Sequence, residues 1–237
     1  MQVFDFCLIT TQVEKKNRFR VFIVDDHPVV RDGLKNLIEQ EEDLMVCGEA
    51  ADAATALKTI PQTSPDVVLV DLSLEHSSGL ELVKEIRDQY AELPVIVLSM
   101  HDELVYGERA VRSGARGYLM KGESSARVVS AIRSVLQGEV FLSERLMAQI
   151  ALRLSHAKAT RPAIERLSDR ELEVFQMLGQ GTSTTAIAEK LNLSIKTVQM
   201  YVSRAICGTA ILAVRSADLS PGVSFSVITG LNNTPRS

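Results

Sequence analysis

The 237-residue chain carries 26 Lys/Arg against 30 Asp/Glu, a net charge of −4, with 46% hydrophobic and 24% charged residues and no tryptophan. Such a composition is that of a soluble folded protein, and its mild charge speaks neither for nor against a nucleic-acid partner. Cys7, Cys47 and Cys207 are odd in number and far apart, which excludes a disulfide framework or zinc spacing and points to a reducing cytosol.

Residues 1–18 read as an N-terminal extension that carries no chemistry. Asp5 stands where a signal peptide needs a basic flank, and no clear cleavage site follows. No apolar run along the chain approaches the roughly 20 residues of a membrane span. From residue 19 to 122, short apolar runs alternate with amphipathic stretches, the pattern of βα units around a parallel sheet. The run Arg20-Val21-Phe22-Ile23-Val24 is a strand that delivers Asp25 and Asp26 at its tip. Pro28 suits a helix start, with Val29, Val30, Gly33, Leu34, Leu37 and Ile38 at helical spacing. Leu44 to Glu49 predicts a second strand, and Ala53 to Ile60 a helix stopped by Pro61.

The third strand, Asp66 to Val70, delivers Asp71. Gly79 to Gln89 predicts a helix with Leu80, Leu82, Val83 and Ile86 on its apolar face. Pro94 opens a strand that delivers Ser99, and Glu103 to Ser113 is a helix stopped by Gly114. The last strand, Gly117-Tyr118-Leu119-Met120, delivers Lys121. Ser124 caps a helix running to about Leu136. Strict alternation of strand and helix predicts a flavodoxin-like doubly wound sheet of five parallel strands, an α/β domain over residues 19–138. In that fold the first and third strand tips lie side by side at the switch point. Three acids, a hydroxyl and an ammonium then converge in one crevice, a set suited to a divalent metal and a phosphoryl group.

Residues 139–162 read as a linker helix, Leu142 to Leu154, followed by a polar linker. From Arg161 onward there are eight Lys/Arg against six Asp/Glu, so the acidic excess lies in front. An acidic regulatory half joined to a half that tolerates phosphates fits this division. Ser168 with Glu171 three residues later forms a capping box, and Gly179 and Gly181 end that helix. Thr184 to Leu191 is a second short helix. Asn192-Leu193-Ser194 then turns the chain, and Ser194 caps a third helix through about Ala205. Two short helices across such a turn make a helix-turn-helix in a second, small all-α domain over residues 163–206.

Residues 20–138 resemble a response-regulator receiver domain, on Val24-Asp25-Asp26-His27-Pro28, Asp71, Ser99 and Gly117-Tyr118-Leu119-Met120-Lys121 in register. Leu167-Ser168-Asp169-Arg170-Glu171-Leu172-Glu173-Val174, Ile187-Ala188-Glu189-Lys190-Leu191 and Ser194-Ile195-Lys196-Thr197-Val198 resemble a LuxR-type DNA-binding domain. The order is that of the NarL/LuxR class of two-component transcriptional regulators. Taken singly, each landmark has a plainer reading. The acid pair could favour a helix N-terminus, Lys121 could be a solvated loop lysine, and Ser99 and Tyr118 ordinary strand residues.

The resemblance implies that Asp71 accepts a phosphoryl group from a sensor histidine kinase. It implies a Mg²⁺ cofactor bound by Asp26 and Asp71 directly, by Asp25 through water and by the backbone carbonyl of Ser73. Lys121 and Ser99 assist the transfer, and Ser99 and Tyr118 act as the switch. No other enzymatic activity is implied. The third helix presents Lys196, Thr197, Gln199, Met200, Ser203 and Arg204 to double-stranded promoter DNA, while Ala186, Ile187, Leu191, Val198 and Val202 pack the helices. Tyr201 stands where the family commonly has histidine. His27 reads as a surface residue beside the site, and His27, His76, His101 and His156 show no ligand spacing.

After about Ala205 the resemblance stops. The family continues into a basic segment and a fourth helix that mediates dimerisation. Here Gly208, Pro221 and Gly222 break any long helix and residues 223–228 read as strand-like. This atypical tail implies an incomplete output domain and a weakened homodimer. Two further readings follow. One is a signalling or sequestering receiver whose output half does not bind DNA. The other is a metal-dependent phosphohydrolase, disfavoured because Ser73 stands where a second acid, two residues after the nucleophile, is needed.

Overall fold

The computed structural model describes residues 18–74, 77–155, 167–191 and 193–204. The expectations for residues 1–17, for His76 and His156, for the polar linker and for the tail beyond residue 204 lie outside these. The described residues form two compact units, divided between residues 157 and 158.

The first unit is a parallel five-stranded sheet in the order β2-β1-β3-β4-β5. Its elements run β1 (Phe19–Val24), α1 (Pro28–Glu39), β2 (Leu44–Ala50), α2 (Ala53–Thr63), β3 (Val67–Asp71) and α3 (Gly79–Gln89). They continue with β4 (Val95–Ser99), α4 (Glu103–Ser113), β5 (Gly117–Met120), α5 (Ser125–Leu136) and α6 (Glu144–Ser155). The doubly wound order expected from the alternation is therefore present. Every residue of β3 and β4 is buried, which is why these strands read as unbroken apolar runs: helices cover both faces. Val21, Ile23, Leu69, Ile96, Leu98 and Leu119 line one core face, against Leu34 and Ile38 of α1 and Val128 and Ile132 of α5. Each such side chain withdrawn from water contributes roughly 1.5–3 kcal/mol.

Several local expectations are corrected. Pro61 does not stop α2, which runs to Thr63. Pro61 gives up one ladder N–H, and the helix closes one turn later at Ser64, whose φ of 40° is left-handed. In α1 the core face is carried by Val30, Leu34, Leu37 and Ile38, whereas Val29 is 83% exposed and Gly33 faces open space. Ser124 occupies the N-cap of α5, yet its side chain makes no capping bond. The linker helix starts at Glu144, two residues later than expected.

Both edges of the sheet are modified. At one edge the β1–β2 register shifts between Val21 and Phe22. At the other, Phe141 bridges Gly117; its carbonyl accepts from Tyr118 N–H at 3.0 Å and its N–H donates to Arg116 at 2.8 Å.

The second unit holds α7 (Asp169–Gly179), α8 (Thr184–Lys190) and α9, helical from 195 to 204. Its core is Val174, Ile187, Ala188, Leu191 and Val198, with Met177, Leu178, Leu193, Tyr201 and Val202 against it. Ala188 takes the packing position expected of Ala186, which is exposed. No helix among the described residues is long and apolar enough to cross a membrane.

Candidate functional site

The strand order brings the tips of β1 and β3 together, because Val24 pairs with Val70 across the two strands. Asp25 and Asp71 follow in the same layer and are 1% and 2% exposed. Lys121 enters from the loop after β5, where its N–H donates to the Ser99 carbonyl at 2.8 Å. Its Nζ lies 2.7 Å from Asp25 Oδ2 and 2.7 Å from Asp71 Oδ2. One ammonium thus bridges two buried carboxylates contributed by different strands.

Asp26 is less covered, and its Oδ1 lies 2.6 Å from His27 Nδ1. The His27 N–H also donates to Asp25 Oδ1 at 2.9 Å. His27 is the surface residue beside the site that was expected, with its side chain 64% exposed, and its ring contacts the acid pair. Its position directly after the acid pair was the signal for this.

Burial pushes the Asp71 carboxyl up from its ordinary value; the hydrogen bond and charge of Lys121 pull it down, and the nearby Asp25 charge pushes it up again. For Lys121 burial opposes the charge, but hydrogen bonds to Asp25 and Asp71 leave the ammonium above its ordinary value. Three carboxylates around one ammonium leave an excess of negative charge in a buried place. A cation would relieve it. Asp25, Asp26, His27 and Asp71 each offer a ligand atom, all within 4.8 Å of one another. The oxygens among them are the donors a hard divalent cation such as Mg²⁺ takes. The residues present fit that ion.

The switch candidates converge on a residue that carried no ligand signal in the sequence. Ser99 is fully buried, and its Oγ accepts from the His101 N–H at 2.9 Å. The Tyr118 hydroxyl, pointing inward, donates to the His101 carbonyl at 3.0 Å. Burial pushes the Tyr118 phenol well above the usual tyrosine range, so it remains a donor. Both polar groups of the His101 peptide are held by the two switch residues. Its ring Nε2 lies 2.9 Å from Ser73 Oγ, and Ser73 N–H donates to Asp71 Oδ1 at 3.2 Å. His101 was legible only through its place, two residues past the tip of β4.

In the second unit the capping box is present in both directions. Ser168 Oγ accepts from Glu171 N–H at 3.3 Å, and Glu171 Oε2 accepts from Ser168 N–H at 2.9 Å. Lys196, Gln199, Met200 and Ser203 are exposed on α9. Thr197 is partly committed to the cap, since its N–H donates to Ser194 Oγ at 3.0 Å and its hydroxyl lies 2.7 Å from the same atom. Arg204 lies 3.5 Å from Glu171 Oε1 with its side chain 63% exposed.

Hydrogen bonding from the Ser168 backbone holds the Glu171 carboxyl below the ordinary glutamate range, against its burial and with help from Arg204. A depressed folded value means its stabilisation is complete above the unfolded value, ~4.3, and is lost as pH falls through the folded one. Glu171→Gln keeps a side chain able to close the capping box but cannot titrate. In the full chain, hydrogen exchange of peptides from 167 to 204 should accelerate less between pH 5 and 3 in this variant than in the wild type. Equal acceleration would remove Glu171 from the acid response.

Comparison with known proteins agrees with both units. Residues 21–133 match the response regulator receiver domain, and residues 165–206 match the bacterial regulatory proteins of the luxR family. Response regulator UvrY of Escherichia coli (strain K12) is 37% identical over 181 residues, covering 76% of this chain and 83% of that protein. The transcriptional regulatory protein LiaR of Bacillus subtilis (strain 168) is 34% identical over 186 residues, covering 78% and 87%. Among solved structures, RcsB of Salmonella enterica serovar Typhimurium, bound to promoter P1flhDC with the phosphomimetic BeF3−, superposes with a TM-score of 0.58. It is 27% identical, over 84% of this chain and 98% of that one. A LuxR-family two-component response regulator from Aurantimonas sp. SI85-9A1 is 34% identical with a TM-score of 0.55, covering 59% of this chain and all of that one.

Proposed function

The chain belongs to the response regulators that join a receiver domain to a LuxR-type helix-turn-helix, and from that premise we propose that Asp71 is the phosphoacceptor through which it controls transcription. As a member of this family it is a phosphorylation-dependent transcriptional regulator, and a receiver implies a histidine kinase as partner. The observation that carries the assignment of Asp71 is the bridge from Lys121 Nζ, 2.7 Å to Asp71 and 2.7 Å to Asp25, at the switch point of the sheet.

In the transfer, an Asp71 carboxylate oxygen attacks the phosphorus of a phosphohistidine. The O–P bond forms, the P–N bond breaks, and the imidazole leaves with the electron pair and takes up a proton. Asp25, Asp26, Asp71 and the Ser73 backbone carbonyl would hold Mg²⁺, which supplies positive charge for the phosphoryl oxygens. Lys121 holds the carboxylate in place and follows the charge to the new phosphoryl oxygens. Ser99 turns its hydroxyl toward one of them. Catalysis goes no further than this transfer and the later attack of water on the aspartyl phosphate, which releases inorganic phosphate and restores the Asp71 carboxylate. Three well-separated cysteines and the absence of a spanning helix among the described residues support a cytosolic setting.

We read α9 as the recognition helix, with Lys196 and Arg204 on phosphates and Gln199 at a base edge, in a homodimer that the atypical tail weakens. A gel shift against promoter DNA, with and without acetyl phosphate, tests the whole reading: the donor should tighten binding in the wild type. Lys196→Ala should weaken binding on every sequence and lower the salt slope by about 1, as loss of one phosphate contact requires. Gln199→Ala should cost about 1–3 kcal/mol at particular base pairs and little elsewhere. No shift at low salt with phosphorylated protein would favour a sequestering receiver instead.

A further inference from the structure

Among the side chains around Asp71, His27 is the one that the phosphoryl transfer does not use. It occupies the N-cap of α1, ahead of Pro28, where Asn, Asp, Ser or Thr would bond the open helix end. Its side chain makes no such bond. The ring turns to the acids instead: Nδ1 lies 2.6 Å from Asp26 Oδ1 and 3.4 Å from Asp25 Oδ1. The backbone anchors the residue there, since the His27 N–H donates to Asp25 Oδ1 at 2.9 Å.

The cluster thus divides between two nitrogens. Lys121 takes Oδ2 of Asp25 and of Asp71, and the imidazole faces Oδ1 of Asp25 and of Asp26. Around an octahedral ion with bonds of about 2.0–2.1 Å, adjacent ligand atoms stand about 2.8–3.0 Å apart. The two distances from Nδ1 bracket that edge, and ligand atoms of Asp25, Asp26, His27 and Asp71 all lie within 4.8 Å of one another. With the ring largely exposed, Nε2 can hold the single N–H of a neutral imidazole, and Nδ1 then presents a lone pair. Oxygen donors suit Mg²⁺, whereas an added imidazole nitrogen suits Ni²⁺ and Zn²⁺.

We propose that His27 Nδ1 is a direct ligand for borderline first-row divalent ions at the phosphoacceptor site; this rests on the reading of Asp25, Asp26 and Asp71 as its oxygen donors. Mg²⁺ gains little from the ring, because it is hard and gives up its waters reluctantly. Ni²⁺ and Zn²⁺ gain a ligand. His27 is therefore the residue that determines which ion the site prefers. Because the imidazole is neutral, it changes the ion held without changing the charge available to the phosphoryl oxygens. Carboxylates alone already favour ions late in the first row, so the informative quantity is the change on removing the ring.

Calorimetric titration of the full chain with Ni²⁺ and with Mg²⁺ tests this, with Asp26→Ala as the blank for ions held elsewhere, at cysteines or other histidines. His27→Asn places a favoured residue at the N-cap, so the fold is kept. It should weaken Ni²⁺ at least about 10-fold, the lower end of the loss that follows removal of even an outer partner of a ligand, and weaken Mg²⁺ far less. With ¹⁵N-labelled histidine in the chain, Zn²⁺ should displace one Nδ1 resonance, the one missing from His27→Asn, and Mg²⁺ should leave it in place. Equal losses of Ni²⁺ and Mg²⁺, or a displaced resonance that persists in His27→Asn, would overturn the role of His27 and leave the oxygen donors and the phosphoacceptor reading standing. If neither ion binds beyond the Asp26→Ala blank, the metal site falls and the inference falls with it.

Discussion

Asp71→Asn should abolish labelling by acetyl phosphate or phosphoramidate in the presence of Mg²⁺. The amide oxygen is a poor nucleophile, and the substitution also withdraws one of the carboxylates that would hold the ion. The fold should survive. Burial already works against the Asp71 charge and the Asp25 charge adds to the penalty, so a neutral side chain of the same shape removes like-charge repulsion. Lys121 keeps its second partner, Asp25, at 2.7 Å. An unfolding midpoint equal to or above that of the wild type should therefore accompany complete loss of label. Asp26→Ala should block labelling too. Phosphate incorporated into Asp71→Asn at the wild-type level would place the acceptor elsewhere and sink the assignment.

Gly79→Ala should be the most damaging substitution of a residue that carries no chemistry. A Cβ there would meet the Asp71 carbonyl oxygen at 2.2 Å, Leu72 Cα at 2.7 Å and the Leu72 carbonyl oxygen at 2.8 Å. All three are backbone atoms, so no side chain can swing aside. Either α3 moves off the sheet or the chain bearing Asp71 moves. The cost should reach about 3 kcal/mol, the upper end of the usual range for overpacking. At roughly 2–4 °C per kcal/mol, the midpoint should fall by about 6–12 °C, and labelling of Asp71 should slow as well. Gly33→Ala is the matched control. It lies within α1 with nothing inside 4 Å of its added Cβ, so it should be neutral or raise stability by roughly 0.5–1 kcal/mol. Equal behaviour of the two variants would refute the steric argument.

The residues that converge were legible because buried parallel strands announce themselves. Val67 to Val70 and Val95 to Leu98 are apolar without interruption, and the switch-point rule then places Asp25 beside Asp71 without any further information. What escaped depends on contacts between segments distant in sequence. Nothing local marks Gly107 as a notch for Leu146, because the reason for the glycine sits 39 residues away on another helix. His101 was marked by nothing but its place past the tip of β4, because its backbone, not its ring, carries the contacts to Ser99 and Tyr118. Helical spacing grouped Val29 and Gly33 with Val30, Leu34, Leu37 and Ile38, yet a helix lying on a sheet buries only a stripe, and these two fall outside it. The capping box of Ser168 and Glu171, by contrast, was readable because it is complete within four residues.

The bridge from Phe141 to Gly117 bears on how this protein could be dissected. β5 is an outer strand, and an outer strand with free N–H and carbonyl groups invites another chain to add to it. Residues just beyond α5 cover that margin, with hydrogen bonds of 3.0 and 2.8 Å, while the irregular β1–β2 register blunts the opposite side. A receiver fragment ended at residue 138, where the helix of the last βα unit closes, would strip the cover from β5. The truncated domain would then be prone to self-association through its own sheet, and a dimer seen with it would report the cut rather than the regulator.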